Sequence, residues 1–425
     1  MKKYSEKERA SIALFIVCWL TYMTVCITKL NYTASIAYVV REGIFTKSGS
    51  GLISACFYLA YGVSQLLGGR LADRFSPYKV MASGILSSIC THLLLCFTNQ
   101  FSHVLVLWGM TGLLQFGIWP SASRIIATVL IPEHRQKASL YITFGIAAAG
   151  LFSYLTVNSF LEAFGWSGVF SFNVLLLVLV LVVWLITARK TAPVLMGENG
   201  EGTEGKTQTT VPESPSLSPA PQKNKHRFLP LFFASGLFLS MFLCFAQGML
   251  DNGVKSWMPT MMMENYEISP TWASMQTAVL YVCNIFGVLL LAKLFSRVKN
   301  AVLCGTIYYI LCLPMCILMV FIGKIPLALV FVALMLSTTL TYTMTSIMVR
   351  ISNGFARYGY SGTVSGFLNA LTCFGIVIAS YLYGYLADAS GWGAVTALWV
   401  IICALAIVCG GVGFLFWRKF LQREE

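Results

Sequence analysis

Gly197–Lys225 reads GENGEGTEGKTQTTVPESPSLSPAPQKNK, the one long polar segment of the chain. It is built of Pro, Gly, Ser, Thr and charged residues with almost nothing apolar to bury, and it predicts a flexible linker over residues 190–227. On either side apolar runs recur with little interruption. Before the linker, spans are predicted near residues 11–39, 49–70, 79–98, 103–130, 138–162 and 167–188; after it, near 228–263, 270–293, 301–322, 326–349, 361–387 and 392–416. Each approaches or exceeds the ~20 residues that a helix needs to cross a hydrocarbon core about 30 Å thick. A backbone in lipid must satisfy its own hydrogen bonds, and these runs are too long and too uniformly apolar for barrel strands, which leaves helices. The expected fold is an all-α integral membrane protein. It has twelve transmembrane helices in two pseudo-symmetric halves, residues 1–189 and 228–425, joined by the linker.

Composition agrees. Of 425 residues, 57% are hydrophobic and 11% charged, and the mean hydropathy is +0.75, which excludes an ordinary soluble enzyme. Lys and Arg exceed Asp and Glu by 13, yet no basic and aromatic cluster lies on a polar segment, so nucleic acid is not an expected partner. The surplus instead sorts by side of the membrane. With both termini inside, 23 basic residues fall in cytoplasmic segments and three outside, Arg41, Lys47 and Lys324, as inserted proteins require. Lys29, Arg124 and Lys255 fall within or at the edge of spans. The basic start of the chain resembles a signal peptide, but the apolar run is too long and lacks a small-residue cleavage site, so a retained first helix is expected. The reading is a multi-pass protein of the inner or plasma membrane, monomeric, in contact with lipid.

The thirteen cysteines all lie in apolar spans and read as small packing residues. The four histidines, His92, His103, His134 and His226, match no metal or triad spacing. No cofactor, metal site or catalytic set is expected, and no ATP-binding motif is present.

The halves echo each other. Glu162-Ala163-Phe164-Gly165-Trp166 precedes span six, and Asp388-Ala389-Ser390-Gly391-Trp392 precedes span twelve. Both have an acid near a helix end and a Gly-Trp opening the next helix. Two six-helix repeats imply a solute site near the midplane, opened alternately to each side.

Gly69-Arg70-Leu71-Ala72-Asp73-Arg74, with Lys79 behind it, resembles the loop 2-3 signature of the major facilitator superfamily, with Ser76 where glycine is usual. In that setting Gly69, Asp73 and Arg74 take gating roles at the inner face. Within the superfamily the chain is similar to the organophosphate:phosphate antiporter branch of glycerol-phosphate and hexose-phosphate carriers. The motifs are Lys29-Leu30-Asn31-Tyr32, Tyr61-Gly62, Gln115-Phe116-Gly117-Ile118-Trp119-Pro120 with Arg124, Trp257-x-Pro259-Thr260 and Ser361–Phe367. The resemblance implies four phosphate-gripping groups: arginines in spans one and seven, a lysine in span two and a histidine in span five. Residue by residue they map to Lys29, Asp251, Gln65 and the stretch Ala147–Ala149. Three of the four charges are thus replaced, so the resemblance places the branch better than the substrate.

An ionised group in a spanning helix costs at least ~2.5 kcal/mol on insertion scales, so Lys29 and Asp251 mark function or pairing. Two arrangements are open: a central Lys29–Asp251 pair broken during transport, or a local pair of Asp251 with Lys255 four residues on, leaving Lys29 to attract an anion. Asn31, Tyr32, Tyr58, Tyr61, Gln65, Gln115, Trp119, Arg124 and Asn369 complete the candidate substrate set. Asp251 and Lys255 join the gating residues as coupling groups. The expected activity is secondary active transport of a small polar organic solute, an anion such as a sugar phosphate, glycerol phosphate or carboxylate, with protons or phosphate as the coupling ion. The alternatives are a transporter-like receptor for such a solute and a proton-coupled carrier of a neutral or zwitterionic one.

Overall fold

The computed structural model describes residues 5–196 and 228–422, apart from residues 299, 356, 357 and 359. Every regular element among the described residues is helical. Span one is Glu6–Arg41, span two Lys47–Arg74, span three Pro77–Leu95, span eight Pro270–Val298, span nine Ala301–Met319, span eleven Ser361–Ser390 and span twelve Trp392–Gln422. Spans five and six form one element, Pro132–Met196, bent at Gly165, where φ is 67° and the helical ladder cannot continue. Gly391, with φ 76°, makes the equivalent break between spans eleven and twelve. The Gly-Trp echo in the sequence is therefore a repeated helix corner. Of the predicted linker, residues 190–196 continue the span-six helix to Met196; residues 197–227 lie outside the described residues.

Three spans are interrupted. Span four consists of Phe101–Leu114, a turn at residues 115–117, Ile118–Arg124 and a π-helical turn Ile125–Val129. Span seven consists of Phe228–Ala234, Leu237–Gln247, a π-helical turn Gly248–Gly253 and Val254–Tyr266. Span ten divides into Leu327–Tyr342 and Met344–Asn353. Non-helical or π backbone at membrane depth leaves amide groups to be satisfied elsewhere and is tolerated where the chain lines a cavity or is buried in protein. Gly117 fits its turn because a Cβ there would run into Val80. Gly248 lets the span-seven backbone meet Thr372 and Gly375 of span eleven, a close crossing built from small residues.

Contacts divide the chain into two units: the described residues of Met1–Tyr32 with Leu59–Ser216, and of Thr33–Tyr58 with Leu217–Glu425. In the first unit Trp184 Nε1 donates to Tyr78 O at 3.2 Å, tying span six to span three, and Tyr32, His92, Trp108, Trp166 and Phe170 form a buried aromatic cluster. In the second, Tyr309 OH donates to Leu243 O at 2.6 Å and Cys403 Sγ to Tyr309 O at 3.2 Å, joining spans seven, nine and twelve. The hairpin of residues 33–58, where spans one and two meet, packs with this second unit. Lys47 Nζ lies 2.9 Å from Glu264 and 3.9 Å from Asp388, Trp392 Nε1 donates to Glu264 at 2.7 Å, and Asp388 accepts from Ser48 N at 2.8 Å. Outward faces are apolar: Leu175, Leu179, Val182 and Ile186 form an exposed stripe on span six at helical spacing, as lipid contact requires.

Candidate functional site

In the first unit a small, narrow pocket is lined by Tyr22, Val25, Cys26 and Lys29 of span one, Tyr61 of span two, and Gln115, Ile118 and Trp119 of span four. Tyr22, Cys26 and Lys29 stand at i, i+4 and i+7, so one face of span one supplies them. Lys29 Nζ lies 5.2 Å from the Tyr61 ring centroid, and Tyr22 and Trp119 pack with centroids 4.9 Å apart. An ammonium over an aromatic face is stabilised by the ring quadrupole. The turn after Leu114 presents Gln115, which is 1% exposed; neither of its amide atoms has a hydrogen-bond partner among the described residues. A buried amide left unsatisfied costs about 1–3 kcal/mol, so this cavity wall holds unmet hydrogen-bonding capacity.

In the second unit Lys255 Nζ lies 2.5 Å from Asp251 Oδ1, with both side chains at most 3% exposed. Of the two pairings open from the sequence, the structure holds the local one, across one turn of span seven. Asn284 of span eight accepts from Lys255 at 2.5 Å, and the ammonium sits 5.0 Å and 5.2 Å from the rings of Tyr281 and Tyr342. The π-helical turn Gly248–Gly253 carries Asp251 in the stretch of extra-wide backbone, and Gly253 lies against Ala379 and Tyr383 where a side chain would not fit. Desolvating two charges is offset here by direct contact, hydrogen bonding and two ring faces.

Lys29, Tyr61, Gln115 and Trp119 come together as substrate-site candidates, and Asp251 with Lys255 as a buried pair. The other candidates have different surroundings. Asn31 donates to Asn173 Oδ1 at 2.6 Å, and Tyr32 stacks on Trp108 at 4.9 Å, so both tie span one to the rest of its unit. Tyr58 packs edge-on to Phe57 within the second unit. Arg124 donates to Phe75 O at 3.0 Å, linking the C-terminal part of span four to the span 2–3 loop. Asn369 is exposed on span eleven. The side chains of Gln65, Gly69, Asp73 and Arg74 lie outside the described residues.

Tyr22, Cys26, Tyr281, Asn284 and Tyr342 were not among the sequence candidates. The i, i+4, i+7 spacing of Tyr22, Cys26 and Lys29 is a legible signal; the approach of Asn284 and Tyr342 to span seven has none. Nor does sequence show that Cys312, Cys316 and Cys403 converge, their sulfurs all within 4.8 Å of one another between spans nine and twelve.

Known proteins resemble the chain in parts and in fold. It is 26% identical over 113 residues to the membrane sensor protein UhpC of Salmonella typhimurium, covering 27% of this chain and 26% of that protein. It is 23% identical over 189 residues to the glycerol-3-phosphate transporter of Bacillus subtilis, covering 43% and 42%. A phosphoglycerate transporter protein of Salmonella typhimurium is 31% identical over 114 residues, 27% of this chain and 25% of that one. The chain thus aligns to less than half the length of each of these curated relatives. Among solved structures, a bacterial homologue of the human lysosomal transporter Spinster, inward-facing and occupied, superposes with a TM-score of 0.74 at 14% identity over 99% of both chains. A D-xylose-proton symporter does so with 0.71 at 13% identity over 95% of this chain and 97% of its own. The family profile of the Major Facilitator Superfamily matches residues 11–380, and the chain, a multi-pass helical membrane protein, belongs to that family.

Proposed function

We propose that the protein is a secondary active transporter, not an enzyme, that carries a small polar organic anion across the inner or plasma membrane by alternating access, with both termini cytoplasmic. The observation that carries this reading is the cavity in which Lys29 stands beside unsatisfied Gln115 and the rings of Tyr22, Tyr61 and Trp119. An ammonium at membrane depth attracts an anion, and the aromatic faces take the apolar side of its carbon skeleton. The names of the partial relatives, which include glycerol-3-phosphate and phosphoglycerate transporters, support an anionic organic solute. The buried Asp251–Lys255 pair is the coupling element: a proton on Asp251 removes the attraction that holds Lys255 and lets span seven rearrange about its π-helical turn. Proton symport and antiport both remain within this scheme.

Purified protein in proteoliposomes tests it. Uptake of a radiolabelled organic anion driven by an imposed pH or counter-anion gradient is the expected result, with Lys29→Gln inactive. The two sensor relatives favour a second reading, a membrane receptor for the same solute class. A saturable thermal shift with no uptake under any imposed gradient would select the receptor.

A further inference from the structure

Three thiols meet inside the second unit. Cys312 and Cys316 stand at i and i+4 on span nine and Cys403 on span twelve, and their sulfurs all lie within 4.8 Å of one another. All three side chains are buried. Cys312 Sγ lies 3.7 Å from Cys316 Sγ and 4.0 Å from Ser337 O of span ten, and Cys403 Sγ donates to Tyr309 O of span nine at 3.2 Å. Cys96, by contrast, turns its S–H back onto its own helix, to His92 O at 3.2 Å. The three thiols of the second unit face one another and the neighbouring spans instead.

Sulfur at this spacing suits a soft d10 ion. A thiolate binds such an ion at about 2.3 Å, so three of them around one centre stand about 4 Å apart in a trigonal plane. The pair on span nine already has close to that separation, and Cys403 closes the triangle. Pro314, between the two, lacks the N–H of the helical ladder and frees this turn to adjust. Among the described residues the group has three members, one fewer than the four ligands of a closed structural zinc site. Cu(I) is selected by soft sulfur ligands and is satisfied by three. Thiolates are the ligands, so binding expels thiol protons to water while no electron moves. One proton lost already neutralises a monovalent ion, whereas a divalent ion needs two, and an apolar interior favours the smaller charge.

We propose that Cys312, Cys316 and Cys403 form a buried Cu(I) site that staples span nine to span twelve, Cu–S bonds taking the place of S–H contacts. The site lies in the other unit from the Lys29 pocket and does not depend on the carrier reading. Its effect is structural. Tyr309, whose carbonyl faces Cys403, donates its hydroxyl to Leu243 O at 2.6 Å, so a staple here steadies the part of span seven that leads into the π-helical turn Gly248–Gly253.

The test uses the full-length protein, produced in copper-supplemented and in copper-chelated cultures and purified anaerobically in detergent. Supply during synthesis loads the site before the spans close over it. Elemental analysis is expected to find one copper per chain in the first preparation, retained against bicinchoninate, and its melting temperature is expected to exceed that of the second. X-ray absorption is expected to show Cu(I) with three sulfur neighbours. Cys312→Ser, Cys316→Ser and Cys403→Ser are each expected to lower Cu(I) affinity at least about tenfold in the chelator competition. Cys409→Ser, also on span twelve but outside the cluster, is expected to leave it unchanged. Copper well below one per chain, an affinity indifferent to the three cluster variants, or zinc held in preference to copper would each overturn the proposal. So would two fewer titratable thiols in protein that carries no copper, which would make the cluster a disulfide pair. If the serine variants do not fold, the absorption spectrum of the wild type decides: three sulfurs uphold the site, and nitrogen or oxygen neighbours sink it.

Discussion

Asp251 and Lys255 hold each other in a place where neither ion is tolerated alone. Their side chains are at most 3% exposed and in direct contact, and Asn284 closes the arrangement from span eight. Removing one partner of such a pair strands the other charge, at a cost of about 3–5 kcal/mol, whereas removing both replaces the pair with neutral groups of similar volume. Asp251→Asn is therefore expected to lower the melting temperature in detergent strongly, and Asp251→Asn with Lys255→Met to recover most of the loss. A double-mutant cycle with additive effects would show that the two do not interact. The same Asp251→Asn protein should lose accumulation driven by a pH gradient; full retention would remove Asp251 from the coupling step.

At the scale of elements, the helix corners are sharp enough to test singly. Gly391 has φ 76° and ψ 177°, a region essentially reserved for glycine, and a methyl group added there would meet nothing within 4 Å, so the cost of Gly391→Ala is conformational alone, about 1–3 kcal/mol. Gly393, two residues on, is also in open space but has helical backbone, so Gly393→Ala should be neutral or stabilising by up to about 1 kcal/mol. Thermal melts of the two proteins check this contrast; equal shifts would mean that the corner is not strained by a side chain. Span four makes the opposite case. Gly117 is limited by contact with Val80, and Gly117→Ala should be partly rescued by Val80→Ala, which vacates the space.

On the scale of the whole molecule, the hairpin of residues 33–58 is tied to the ends of spans seven and eleven and the start of span twelve by Lys47, Glu264, Asp388 and Trp392. These groups are partly exposed, Lys47 at 16% and Glu264 at 36%, so the ion pairs contribute about 1 kcal/mol or less and weaken with salt. Lys47→Met is expected to speed maleimide labelling of a cysteine placed at Ser48, with a similar acceleration of the unmutated tie at high ionic strength. Unchanged labelling would show that the contacts do not hold the hairpin. Topology is checked separately: alkaline phosphatase fused at Lys324 should be active and a fusion at the C-terminus inactive, as the split of basic residues requires.

The sequence alone determined the helical membrane fold and the Gly-Trp corners that break it, because spanning helices need about 20 apolar residues each, a local property of the chain. It also singled out Lys29, Gln115, Trp119 and Asp251, since polar groups inside apolar runs are conspicuous. Only the tertiary structure decided which partners they take. Asp251 is paired with Lys255 and joined by Asn284 from another span, Asn31 and Tyr32 belong to packing, Arg124 bonds the Phe75 carbonyl, and Gln115 lines a small pocket without a hydrogen-bond partner among the described residues. Hydrogen-bond partnership depends on distances of about 3 Å between helices far apart in the chain, and neither periodicity nor composition encodes the crossing of one helix against another to that precision.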